Sequence, residues 1–131
     1  MPVLSARAIA LAALCMLALP AAAPAQTLAG AAAAASLSGS TLSGKIDDED
    51  QSIYFSPDGR MAMRVDAEET QGKWEQRGEK MCVIIVDEED ACYAVEVNGD
   101  TATVREYETK SYTMKIAKGN TGNLPLAAPK P

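Results

Sequence analysis

Between residues 39 and 118 this chain never runs far without a turn-forming cluster, and the stretches between clusters are too short for ordinary helices. Proline and glycine punctuate Ser56-Pro57-Asp58-Gly59, glycine follows Arg77, and Asn98-Gly99 is the strongest short hairpin signal present. Strands are expected over Thr41–Ile46, Gln51–Phe55, Arg60–Asp66, Gln71–Gln76, Lys80–Val86, Ala91–Val97, Thr101–Tyr107 and Ser111–Ala117. Several alternate cleanly: Met61, Met63 and Val65 share one face, as do Tyr112, Met114 and Ile116. Short strands spaced about ten residues apart predict an all-β fold, an antiparallel meander of about eight strands. Closing it into a small barrel removes the exposed edges, and a β-sandwich is the alternative.

The flanks are different in kind. Residues 1–25 have the three parts of a secretory signal peptide. Arg7 supplies the charge, Ala8 to Leu19 is an unbroken apolar run, and Ala23-Pro24-Ala25 offers small residues for cleavage near Ala25. The run is too short to anchor a protein in a bilayer. Leu14, not a small residue, stands immediately before Cys15, so lipidation there is not expected. Residues 26–38 are alanine-rich and are expected to be a flexible linker, because Ala31 to Ala35 shows neither a polar face nor a cap. Residues 119–131 (GNTGNLPLAAPKP) are expected to be a disordered or surface-draped tail. The β-domain proper is then 39–118.

Loss of the leader changes both cysteine and charge arithmetic. Cys15 leaves, so Cys82 and Cys92 remain as an even pair in an oxidising compartment, where a disulfide is expected. They flank the turn Asp87–Asp90, and direct opposition in a hairpin leaves a loop of three residues or five. A redox-active pair would instead want a two-residue spacing near a helix start. Without Arg7, 11 basic residues face 18 acidic ones, a net charge of −7. Such a chain is repelled by nucleic acid and by anionic lipid. It is expected to act in the periplasm or outside the cell, as a monomer without a membrane span.

The chain contains no histidine. That removes the usual hydrolytic triad and histidine-ligated zinc, copper and haem sites together. No Gly-x-Ser-x-Gly, P-loop or dinucleotide fingerprint is present either. No enzyme activity and no cofactor are expected. The acidic clusters Asp47–Asp50 and Asp87–Asp90 lack calcium-loop spacing and are expected to be solvated turns. Met61 and Met63, with Met81 and Met114, raise the possibility of a thioether site for Cu(I), set against the simpler expectation of core filling. Trp74, Tyr54 and Tyr93 are the candidates for a ligand or partner surface. Strands of five to seven residues are nevertheless expected to enclose a packed interior.

Gly72-Lys73-Trp74 … Met81-Cys82 … Cys92-Tyr93 … Asn98-Gly99-Asp100, preceded by Tyr54-Phe55-Ser56-Pro57-Asp58-Gly59, resembles a group of small secreted β-rich bacterial proteins of unknown function. The likeness spans residues 37–124 and implies an envelope β-domain with no known activity. A second resemblance is to periplasmic inhibitors of secreted metalloproteases, eight-stranded barrels with one disulfide that insert an N-terminal arm into the protease. Residues 26–38 would supply that arm here. The sequence departs from the inhibitors in its mid-domain Trp74 and closely spaced cysteines. These readings converge on a non-enzymatic exported domain that binds another envelope protein. The alternatives are a periplasmic small-molecule or metal carrier and a protease inhibitor.

Overall fold

The computed structural model describes residues 26–128, so the leader assigned to 1–25 lies outside the described residues, as do the last three residues of the tail. Elements follow in the order β1 (Leu28–Ala29), α1 (Gly30–Leu37), β2 (Ser40–Ile46), β3 (Glu49–Phe55), β4 (Arg60–Val65), β5 (Glu68–Arg77), β6 (Lys80–Ile84), β7 (Ala91–Asn98), β8 (Thr101–Tyr107) and β9 (Lys110–Lys118). From β2 to β9 each strand pairs antiparallel with the next, and β9 returns to β2 through Ser40↔Lys118 to Ser43↔Lys115. The meander is therefore a closed eight-stranded barrel. Closure leaves no sheet edge along most of its circumference.

Alternation fixes what each strand turns inward. Leu42, Ile53, Phe55, Met61, Met81, Val95, Val97, Ala102, Val104 and Met114 form the core cluster or pack against it from successive strands. Cys82 and Cys92 stand directly opposite one another in the β6–β7 ladder and are disulfide-bonded, with Cα atoms 4.0 Å apart. The last ladder pair is Val83↔Ala91, so the excursion is seven residues, longer than the three or five that tight pairing allows. At the last β5–β6 pair, Lys73↔Ile84, the backbones come close: a Cβ on Gly72 would stand 2.5 Å from the Ile84 carbonyl oxygen.

Residues 26–38 depart from expectation. They are no flexible linker. Leu28 and Ala29 pair with Val97 and Glu96, on the part of β7 that lies beyond the last β6 partner, Ala94. α1 then lies across that end of the barrel against β6 and β7, with Ala33, Ala34 and Leu37 fully buried. An eight-residue helix with no side-chain N-cap would not persist alone. Burial of one face holds it, and the small alanines let it sit close on the strand ends. That face was invisible in sequence because the exposed and buried positions are both alanine.

The tail drapes over the outside. The Thr41 hydroxyl donates to Gly119 O at 2.6 Å, Arg64 Nη1 to Gly122 O at 3.3 Å, and Arg60 Nη1 to Ala127 O at 2.8 Å. Asn120 brackets Leu124 with two 2.9 Å hydrogen bonds, and Leu124 is buried. The folded unit thus extends well past residue 118.

Candidate functional site

In an up-and-down meander every second turn falls at the same end. The turns at 56–59, 78–79 and 99–100 lie at the end that α1 covers, and each carries a glycine with positive φ. Those at 47–48, 66–67, 85–90 and 108–109 form the opposite rim. There the left-handed positions are taken by Asp47, Asp48, Asp66 and Asp87, a conformation that aspartate tolerates better than most side chains. Acidic residues scattered over forty positions of sequence therefore meet at one end of the molecule.

Below this rim the interior is open. A cavity of about 330 Å³ occupies the half of the barrel away from α1. Its floor is the packed layer of Leu42, Phe55 and Met114, and its walls include Ile53, Val83 and Ile85. The expectation of a packed interior holds only for the lower half. Leu42, Phe55, Met61 and Met114 fill the α1 end. Higher up, the inward position on β7 falls to Ala91, too small to reach across an eight-stranded barrel.

Polar chemistry is confined to the mouth. Tyr93 and Tyr112 face each other across β8 and line the cavity beside Glu106, while Asp47, Glu88 and Glu89 approach from the turns. The β8–β9 ladder slips by one residue between Arg105 and Tyr107, which leaves Glu106 as the extra residue of a bulge, a common way of re-aiming a side chain. Lys110 joins the mouth: its Nζ lies 3.3 Å from Asp47 Oδ2, 3.7 Å from Glu106 Oε2 and 5.6 Å from the centre of the Tyr112 ring. The Tyr112 hydroxyl and then Asp47 favour its charged form, so its pKa lies above the ordinary lysine range. Burial, reinforced by Glu106 and the neighbouring tyrosines, raises the Tyr93 phenol above its ordinary value. The Tyr112 hydroxyl oxygen is buried in the cavity wall, and the Lys110 ammonium beside it is its nearest polar neighbour, outside ideal hydrogen-bonding geometry.

The residues singled out from sequence are divided by this geometry. Tyr93 lines the cavity. Trp74 points inward at the opposite end, where its Nε1–H donates to Ser56 O at 2.8 Å and its ring meets Phe55 edge-on at 5.5 Å. It seals the barrel beside α1. Tyr54 is on the outer face of β3, between Thr41 and Ala62, where the tail crosses. Met61 is fully buried core, and Met63 borders the cavity. Among the described residues no three His, Cys, Asp or Glu side chains gather as a metal-binding group. Sequence reasoning passed over Glu106 and Lys110 as site residues. The available signal was phase: Glu106 follows Ala102 and Val104 on the inward face of β8, and Lys110 precedes Tyr112 and Met114 on that of β9.

No family model, curated protein or solved structure matches this chain. Among the described residues no helix is long and apolar enough to cross a membrane.

Proposed function

We propose that this chain is an exported, non-enzymatic binding protein that holds a small, largely apolar molecule in the open half of its barrel. The observation that carries the reading is the cavity of about 330 Å³, sealed at one end by α1 and open at the other. Ligand pockets begin at about this size and combine apolar walls with a few convergent polar groups. Scaling from an engineered cavity of ~150 Å³ that takes benzene, the space suits roughly a dozen non-hydrogen atoms. Export is supported by the leader-like residues 1–25 and by the Cys82–Cys92 disulfide, which persists in oxidising compartments. The inhibitor reading needs a free arm, whereas residues 28–37 are built into the barrel.

Isothermal titration of the oxidised protein with 4-phenylbutan-1-ol tests this reading. Saturable one-to-one binding with a negative heat-capacity change is expected, as apolar burial requires. Val83→Trp, which fills the cavity, should abolish it while cooperative unfolding is retained. Absence of binding, or equal binding by that variant, refutes the reading.

A second reading, docking of another envelope protein, is favoured by one observation. Val86 and Tyr107 are exposed large hydrophobic residues, and both stand at the rim. A partner captured by the wild type and lost from Val86→Ser/Tyr107→Ser would support it, and capture that survives the substitutions would exclude that surface.

A further inference from the structure

The mouth of the cavity is chemically one-sided. Four carboxylates border it, Asp47, Glu88, Glu89 and Glu106, against the single ammonium of Lys110. Lys110 does not offset Glu88 and Glu89, because it is already held between Asp47 and Glu106. Among the described residues Glu88 and Glu89 take part in no ion pair. They sit on the long β6–β7 excursion, whose turn is tied by Glu88 N–H donating to Ile85 O at 3.1 Å. That places negative charge above an apolar well. A bare divalent ion does not fit, since the carboxylates do not gather into a ligand cluster. A neutral apolar molecule would use the walls and leave the rim unanswered. An anion would meet repulsion from three sides.

We infer that the ligand is an organic cation: a compact apolar body of about a dozen non-hydrogen atoms carrying one protonated amine. This rests on the ligand-binding reading above and names its chemical class. The apolar body occupies the space between Ile53, Val83 and Val104, where its removal from water favours binding. The ammonium stays at the mouth, where Glu106 and the Glu88–Glu89 pair surround it and water still reaches it. Beyond the contacts, the acidic rim raises the local concentration of cations and rejects anions of the same shape.

Three probes with one body and different heads separate these contributions: 4-phenylbutylamine, 4-phenylbutan-1-ol and 4-phenylbutyrate, each titrated calorimetrically into the oxidised protein at low and high salt. The amine is expected to bind about tenfold tighter than the alcohol at low ionic strength, and the carboxylate more weakly than either. High salt should narrow the gap, because the rim is solvent-exposed. Glu88→Gln/Glu89→Gln/Glu106→Gln should bring the amine down to the level of the alcohol and leave alcohol binding intact, which also shows that the variant is folded. Equal affinity for amine and alcohol in the wild type overturns this inference while the ligand-binding reading stands. Preference for the carboxylate overturns it and makes Lys110 the head-group partner. Failure of all three probes brings down the ligand-binding reading and this inference together.

Discussion

Replacing Gly72 by alanine adds a single methyl group at the narrowest point of the β5–β6 contact. That methyl would lie 2.5 Å from the Ile84 carbonyl oxygen, 3.2 Å from Met61 Cε and 3.3 Å from Ile85 Cγ1. The methionine can swing aside, but the carbonyl is backbone and cannot. An ordinary carbon–oxygen contact needs about 3.3 Å or more, so the strands must part by close to 1 Å. Parting them breaks pairing at Lys73↔Ile84, worth about 1 kcal/mol per hydrogen bond, and overpacks the wall, worth about 1–3 kcal/mol. The loss of chain entropy in the unfolded state returns about 0.4–1 kcal/mol. The net expectation is a destabilisation of about 2–3 kcal/mol, or a fall in Tm of roughly 10–20 °C for a domain of this size. Urea denaturation of the oxidised protein measures it. Gly78→Ala is the control: its Cβ would meet nothing within 4 Å, but its φ of +58° makes any side chain unfavourable, at about 1 kcal/mol. A Gly72→Ala protein within 0.5 kcal/mol of wild type, or more stable than Gly78→Ala, would refute the close-approach argument.

Other consequences follow from the same architecture. Leu37→Ala should destabilise the fold by about 3–4 kcal/mol, since Leu37 is fully buried where α1 seals the barrel, and equilibrium unfolding reads this directly. A loss below 1 kcal/mol would mean that the helix is dispensable. Cys82→Ser/Cys92→Ser should lower stability by somewhat less than the ~3 kcal/mol associated with a fifteen-residue loop, and reductant should then have no further effect on the variant. Tyr93 gives a pH signature. Its folded pKa is raised, so the unfolded chain loses the phenolic proton first, and stability should be complete below about pH 10 and decline above it. Tyr93→Phe should flatten part of that decline in alkaline unfolding curves, and an unchanged slope would show that the phenol is not shielded from water.

The hairpins were legible in the chain because turn chemistry is local. Asn98-Gly99 and Pro57-Asp58-Gly59 prescribe their own backbone, and alternation along Met61-Ala62-Met63-Arg64-Val65 needs no distant partner. Half of the site was accessible by the same logic: once a meander is accepted, alternate turns share an end, and those at 47–48 and 85–90 carry the two acidic clusters. The helix was not accessible. Ala31 to Ala35 has no amphipathic pattern, and only the barrel end that it covers decides which alanines are buried.

The sequence alone therefore determined the eight meander strands and the disulfide pair, since each depends on side-chain period, turn residues or cysteine count within a short stretch, whereas β1 and the closure of the sheet came only with the structure. Tertiary structure decided where the interior is full and where it is empty. That balance depends on the sum of side-chain volumes contributed by eight strands at each level of the barrel. Leu42, Phe55 and Met114 meet at one level, while Ala91 leaves room above it. It also turned solvated acidic turns into a charged mouth, because Asp47, Glu88 and Glu106 become neighbours only when the last strand closes on the first.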